Sequence, residues 1–158
     1  MKNTFKRSGA ALISLVLLLV LAVSAGAASS QNVGVKFWKE RSDKESMANS
    51  GIDPDRTATL TRQANGTYTL TLPVMQVSKL GVTGYLSGLT IGDVTYDGTL
   101  TGDFNKATAV LTIKNLPASV LTGSDMNKSV LVTCNIQMDL QVLGEINTSA
   151  RMCIWNQK

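Results

Sequence analysis

Apolar and polar residues alternate along NVGVKFWK, with Val33, Val35 and Phe37 on one face and Lys36 and Trp38 on the other. This period of two predicts a first β-strand. The stretch DKESMANSG, residues 43–51, breaks the alternation. Ser42 followed by Glu45 is a capping-box pattern, in which the hydroxyl accepts from the Glu45 amide and the carboxylate reaches back to the Ser42 amide. Gly51 suits a left-handed stop and Pro54 prevents a restart, so a short helix of one to two turns is predicted over 43–50. Alone such a helix is unstable, because nucleation is costly. It needs a surface to dock on.

TATLTRQANGTYTLTLPV reads as a hairpin. A two-residue Asn65-Gly66 turn would set Leu60 opposite Thr71 and put apolar side chains on conflicting faces. A three-residue loop, Ala64-Asn65-Gly66 with Gly66 left-handed, pairs Leu60 with Leu70 and Ala58 with Leu72. One buried face fixes the register, so the second is expected. The glycine-punctuated middle, GVTGYLSGLTIGDVTYDGTLTGD, predicts short strands at 89–91 and 94–96 and a turn at Asp97-Gly98. KATAVLTIKNL places Ala107, Ala109, Leu111 and Ile113 inward. SVLVTCNIQMDLQV is the longest alternation, with Val130, Val132, Cys134, Ile136, Met138, Leu140 and Val142 on one face. A turn near Gly144 returns the chain as NTSARMCIW. There is no fixed-period repeat or low-complexity linker. Roughly seven to nine short strands with frequent turns predict an all-β fold, an antiparallel immunoglobulin-like β-sandwich with one short helix near the N-terminus.

The chain has 158 residues, enough for one domain. Its start reads as an export signal. MKNTFKR is a basic n-region, GAALISLVLLLVLAV an apolar h-region, and Ala25-Gly26-Ala27 a cleavage site, leaving 28–158 as a single domain. The apolar run is shorter than the about 20 residues that span a bilayer, and no cysteine follows it to carry a lipid. A secreted or cell-envelope protein of bacterial type is expected, with no membrane span after cleavage. Removing Lys2, Lys6 and Arg7 takes 15 basic residues to 12, against 11 acidic ones. That balance gives no electrostatic case for nucleic acid.

There is no histidine. Ser-His-Asp and Cys-His catalysis, histidine-bound zinc and the commonest haem ligand are thereby removed. No nucleophile elbow, phosphate loop or dinucleotide fingerprint appears, so no enzyme is expected. Asp53, Asp55, Asp93, Asp97 and Asp103 could offer oxygen ligands to calcium, but no dense D-x-D-x-D loop is present and aspartate is an ordinary turn residue. Cys134 and Cys153 are the only cysteines. In an exported chain a disulfide across the final hairpin is the default expectation. That register would turn Arg151 and Trp155 toward the apolar face and Met152 and Ile154 outward; a one-residue shift would do the reverse and separate the sulfurs. The remaining candidate chemistry is sulfur and phenol: Met47, Met75, Met126, Met138 and Met152, with Tyr68, Tyr85 and Tyr96. Met47 stands out as an apolar side chain on a short polar surface helix.

SMANSG, then a strand, NGTYTLTL, AVLTIKNLPASV and a final alternating hairpin follow the order of NEAT (near-iron-transporter) haem-binding domains, which this sequence resembles from about Val33 to Trp155. The resemblance implies a short helix forming a lip over a flat haem pocket whose floor is the C-terminal hairpin. It implies that Ser46 hydrogen-bonds a propionate and that Met47 lies over the porphyrin. The Tyr-x-x-x-Tyr pair usual in that family is missing from EINTSARMCIW. Met47 then becomes the first candidate iron ligand, with Met138, or Met152 if the register slips, as its partner, and Arg151, if inward, would meet an anionic ligand group. The expected cofactor is haem or a related tetrapyrrole, bound for uptake or transfer, with another haem-carrier or cell-surface protein as partner. The alternatives are an immunoglobulin-like cell-envelope module binding protein or glycan without haem, and a purely structural domain. Haem binding requires an apolar slot between the 43–50 helix and the last hairpin; a protein-binding module would show an exposed apolar patch or a free strand edge.

The leader carries its own test. Intact mass of the protein recovered from its native host should correspond to a chain beginning at Ala28, and a retained 1–27 segment would refute the cleavage.

Overall fold

The structure is a computed structural model describing residues 28–79, 81–139 and 144–158. The leader, Leu140 and Val142 lie outside the described residues. Nine strands follow in order: β1 (Ser29–Lys39), β2 (Ala58–Arg62), β3 (Tyr68–Pro73), β4 (Val77–Lys79), β5 (Val82–Ile91), β6 (Val94–Thr101), β7 (Val110–Leu116), β8 (Val130–Met138) and β9 (Glu145–Asn156).

The strands do not form two open sheets. They run β5-β6-β7-β3-β2-β1-β9-β8, and β8 pairs back onto β5, closing an eight-stranded antiparallel barrel with β4 added beside β5. This corrects the expected sandwich. The cause is the length of β5, whose second half pairs with β6 on one edge while residues 84–90 pair with β8 on the other. A register shift between Leu86 and Gly88 bends the strand where the ring closes. The expected turn at Asp97-Gly98 is absent as well. β6 runs through these residues, and Gly98 pairs with Ile113 of β7.

The hairpin register follows from burial as anticipated. Leu60 faces Leu70, Gln63 and Thr67 close the three-residue loop through a 2.8 Å hydrogen bond, and Gly66 is left-handed at φ 83°. A β-carbon there would be strained. Phe37, Leu60, Leu70, Leu72, Leu89, Leu111, Ile113 and Leu116 are wholly buried and form the interior with Met152 and Ile154. Ala107, expected inward, is exposed and left-handed (φ 52°), ending the 3-10 turn Phe104–Lys106 before β7 begins.

The parity of β9 decides the cysteines. Met152 and Ile154 point into the core, so Arg151 and Cys153 take the other face. Cys134 opposes Thr148, not Cys153. Both thiols are free and buried, with Cys153 Sγ 3.6 Å from the Asp125 carbonyl under the 122–128 segment. The expected disulfide is therefore corrected. Burying Met152 and Ile154 removes apolar surface from water, whereas the disulfide register would have buried a guanidinium.

The helical segment is shorter than expected and is capped differently. It is a 3-10 turn, Met47–Gly51, whose N-cap is Ser46, accepting from the Ala48 amide at 3.3 Å. Glu45 does not cap it: that carboxylate pairs with Lys36 at 2.5 Å, and its backbone bridges to Trp38. Gly51 belongs to the turn and does not end it in the left-handed region. The docking is specific. Asn49 Oδ1 accepts from the Phe37 amide at 2.8 Å, and Asn49 Nδ2 donates to the Phe37 carbonyl at 2.6 Å. The Ser46 amide donates a second bond to that carbonyl, at 2.9 Å. At the other end the Met75 amide donates to the Gly51 carbonyl, and Ile52 bridges to Val74.

Two measurements test this account. Asn49→Ala strips the Phe37 amide of its partner and should cost about 1–3 kcal/mol in denaturant unfolding; an unchanged midpoint would mean the amide holds nothing. Separately, denaturing the protein without reductant should release two titratable thiols. In the folded protein Cys134, its thiol pushed up to about 12 by burial, should resist alkylation at neutral pH. Loss of both thiols on export would restore the disulfide.

Candidate functional site

β1 leaves β2 after Val33, and the Met47–Gly51 turn occupies the space beside its second half. Because the turn is fastened to Phe37 at one end and Met75 at the other, it overhangs the barrel mouth as a fixed lip. Beneath it lies a cavity of about 400 Å³. Met47, Ala48 and Gly51 line it from the lip, and Val77 from β4. Val82, Gly84, Tyr85 and Leu86 line it from β5, Ile136 and Met138 from β8, and Ile146 and Thr148 from β9.

The floor is built by strand register. Leu86 pairs with Ile136, and Ile136 with Ile146, so one row of aliphatic side chains crosses three strands. In the next row Gly84 pairs with Met138. A β-carbon on Gly84 would stand 2.8 Å from Met138 Sδ and 2.9 Å from the Gln137 carbonyl oxygen. The missing side chain is what lets the thioether lie down on the floor.

Among the described residues, no charged side chain lines the cavity. At its rim the Gln76 side chain donates to the Asp139 carboxylate at 3.3 Å, joining the approach to β4 with the end of β8. The apolar wall continues to the surface, where Met47 is 56% and Ile146 44% exposed. Such a space favours an apolar ligand that keeps one side open to water. Thioethers are its soft donors, and Tyr85 is the one phenol-bearing residue on its wall, with its ring against Phe104 at 5.2 Å between centroids.

Met47 and Met138 both line this cavity. Ser46 is buried and shapes the lip as its cap without lining the cavity. Met152 is excluded from the site: it is wholly buried, between Phe37 and Val130 across the flanking strands. Arg151 is excluded too. Its guanidinium lies on the outer face, donating to the Lys39 and Ser42 carbonyls and pairing with Asp43 at 3.2 Å. The aspartates suggested for calcium serve local structure. Asp53 accepts from the Asp55 amide and pairs with Arg56 at 2.8 Å, which holds its carboxyl below the usual range, and Asp103 caps the Phe104–Lys106 turn. Sequence reasoning missed Gly84, Ile136 and Ile146 as floor residues. The parity of INTSARM, with Ile146, Thr148, Ala150 and Met152 on one side, was the signal available.

No protein-family model matches the sequence, and no curated relative matches it. Solved structures of similar fold do. The NEAT5 domain of IsdX2, a B. anthracis hemophore, in complex with heme aligns with a TM-score of 0.53 at 11% identity, over 84% of this chain and 99% of that one. A point mutant of the same domain, also with heme, aligns with the same score and identity over 84% and 98%. The chain therefore has the NEAT-domain fold.

Proposed function

We propose that this protein is an exported, non-enzymatic carrier that binds haem or a related tetrapyrrole in the cavity under the Met47–Gly51 lip, for uptake or transfer. The observation that carries the reading is an apolar cavity of about 400 Å³ with thioether residues on opposite walls, Met47 above and Met138 below. The residues fit the group. Aliphatic side chains of β4, β5, β8 and β9 suit the faces of a porphyrin, and a thioether is an ordinary iron ligand. Without a charged residue on the wall, the carboxylates of a tetrapyrrole would have to stay at the open side, in water. Bound haem would supply redox-active iron. The chain would supply a dry slot, sulfur donors and a lip held in place by Asn49 and Ser46.

The alternative, a module that docks protein or glycan, is less well supported. Barrel closure leaves β4, three residues long, as the strand with an unpaired edge among the described residues. Such an edge is too short for extensive strand addition. Export rests on the leader, and the heme in the similar structures is consistent with the proposed ligand.

Mixing haemin with the purified domain should give a sharpened, shifted Soret band saturating at one equivalent. Met47→Ala should weaken binding by about tenfold, or about 1.4 kcal/mol, and change stability by less than about 0.5 kcal/mol because the side chain is largely exposed. No saturable change in either redox state would sink the reading and favour the protein-binding module.

A further inference from the structure

Resting on the haem reading, we infer that the cavity selects ferrous over ferric haem, and that Met138, seated on Gly84, is the residue through which it does so. Two independent features of the wall lead there. The first is donor type. The last strand offers the cavity Ile146 and Thr148, an alkyl group and a neutral hydroxyl, and the thioethers of Met47 and Met138 are what remains to meet iron. Thioether is soft and uncharged, and it prefers the softer, electron-rich metal.

The second feature is charge. A ferric porphyrin core carries one net positive charge, and a ferrous core carries none. Burying that charge in an apolar space is costly unless an anion meets it. Among the described residues, no carboxylate lines the cavity. Asp139, at the rim, is exposed and is held by the Gln76 amide. Among the described wall residues Tyr85 is the one that could become anionic, and its ring is engaged by Phe104. Donor softness and charge burial therefore act in the same direction.

Met138 is the more constrained of the two sulfurs. Its Sδ lies 2.8 Å from where a Gly84 β-carbon would be, whereas Met47 is on the exposed lip. A ligand pinned to a barrel strand loses less rotamer freedom on binding than one at the surface.

The test uses three probes on the mature protein: haemin, dithionite-reduced haem under anaerobic conditions, and metal-free protoporphyrin. Wild type should bind reduced haem at least tenfold more tightly than haemin. By linkage, the midpoint potential of bound haem should then stand at least 59 mV above that of free haem. Met138→Leu keeps volume and apolarity; it should erase most of the preference while leaving protoporphyrin affinity within about twofold. Met47→Leu serves as the second variant if Met138→Leu fails to fold, and should reduce the preference less than complete loss of both sulfurs does. Tighter binding of haemin than of reduced haem would overturn the inference while leaving the haem reading intact. So would a Tyr85→Phe variant that lost haemin binding, which would give the iron to the phenol. A preference unchanged in both methionine variants would overturn the assignment to sulfur. Failure of all three probes to bind would overturn the haem reading along with it.

Discussion

The carboxamide of Asn49 holds both backbone polar groups of Phe37, and the barrel mouth depends on this contact. A strand that leaves its neighbour exposes an amide and a carbonyl, and burying them unpaired costs a few kcal/mol. β1 does this after Val33, where β2 ends its pairing. A side chain then imitates the missing strand, because a primary amide offers one donor and one acceptor in the geometry of a peptide group. The consequence is mechanical. A five-residue 3-10 turn, unstable by itself, becomes part of the wall, and its Met47, Ala48 and Gly51 line a cavity.

Closure through β5 and β8 supplies the other half. Were the sheets open, the β8–β9 hairpin could splay from β5, and the Leu86-Ile136-Ile146 row would lose its continuity. With β5 hydrogen-bonded on both edges, the three strands form one rigid floor. The lip is set by a few hydrogen bonds to Phe37 and Met75 and the floor by continuous strand pairing, and the cavity is the space between them. Its volume thus depends on backbone geometry more than on any one side chain.

How much of this was legible in the sequence varies with the range of the interaction. The Leu60–Leu70 register could be read because a hairpin's turn and its apolar face lie within fifteen residues. The lip's existence was legible, but its cap was not: Ser42 and Glu45 match a capping box, while Ser46 does the capping because Glu45 is drawn away to Lys36 across a bridge to β1. The ring closure was illegible, since nothing local in GVTGYLSGLTI says that the strand is paired on both edges. The β9 parity was readable but was misjudged, with the oxidation tendency of two cysteines weighted above the burial of Met152 and Ile154. Met47 and Met138 were singled out by residue type, and both line the cavity. Gly84 was not, because a glycine announces a need for space without naming the neighbour that fills it.

The methionines show why position outranks identity. Met138 and Met152 lie on adjacent strands and both face the barrel interior. Met152 is flanked by Phe37 on one side and Val130 on the other, so its thioether is packed out of reach. Met138 stands opposite Gly84, near the mouth, and the absent side chain leaves its sulfur against an open space. Exchanging the aromatic partner for a glycine is what separates a core residue from a ligand candidate. By the same logic, enlarging Gly84 would not merely shrink the cavity. It would collide with both the sulfur and the Gln137 carbonyl, so the thioether and the strand that carries it would have to move together. The site's chemistry and the barrel's closure therefore meet at one residue that has no side chain.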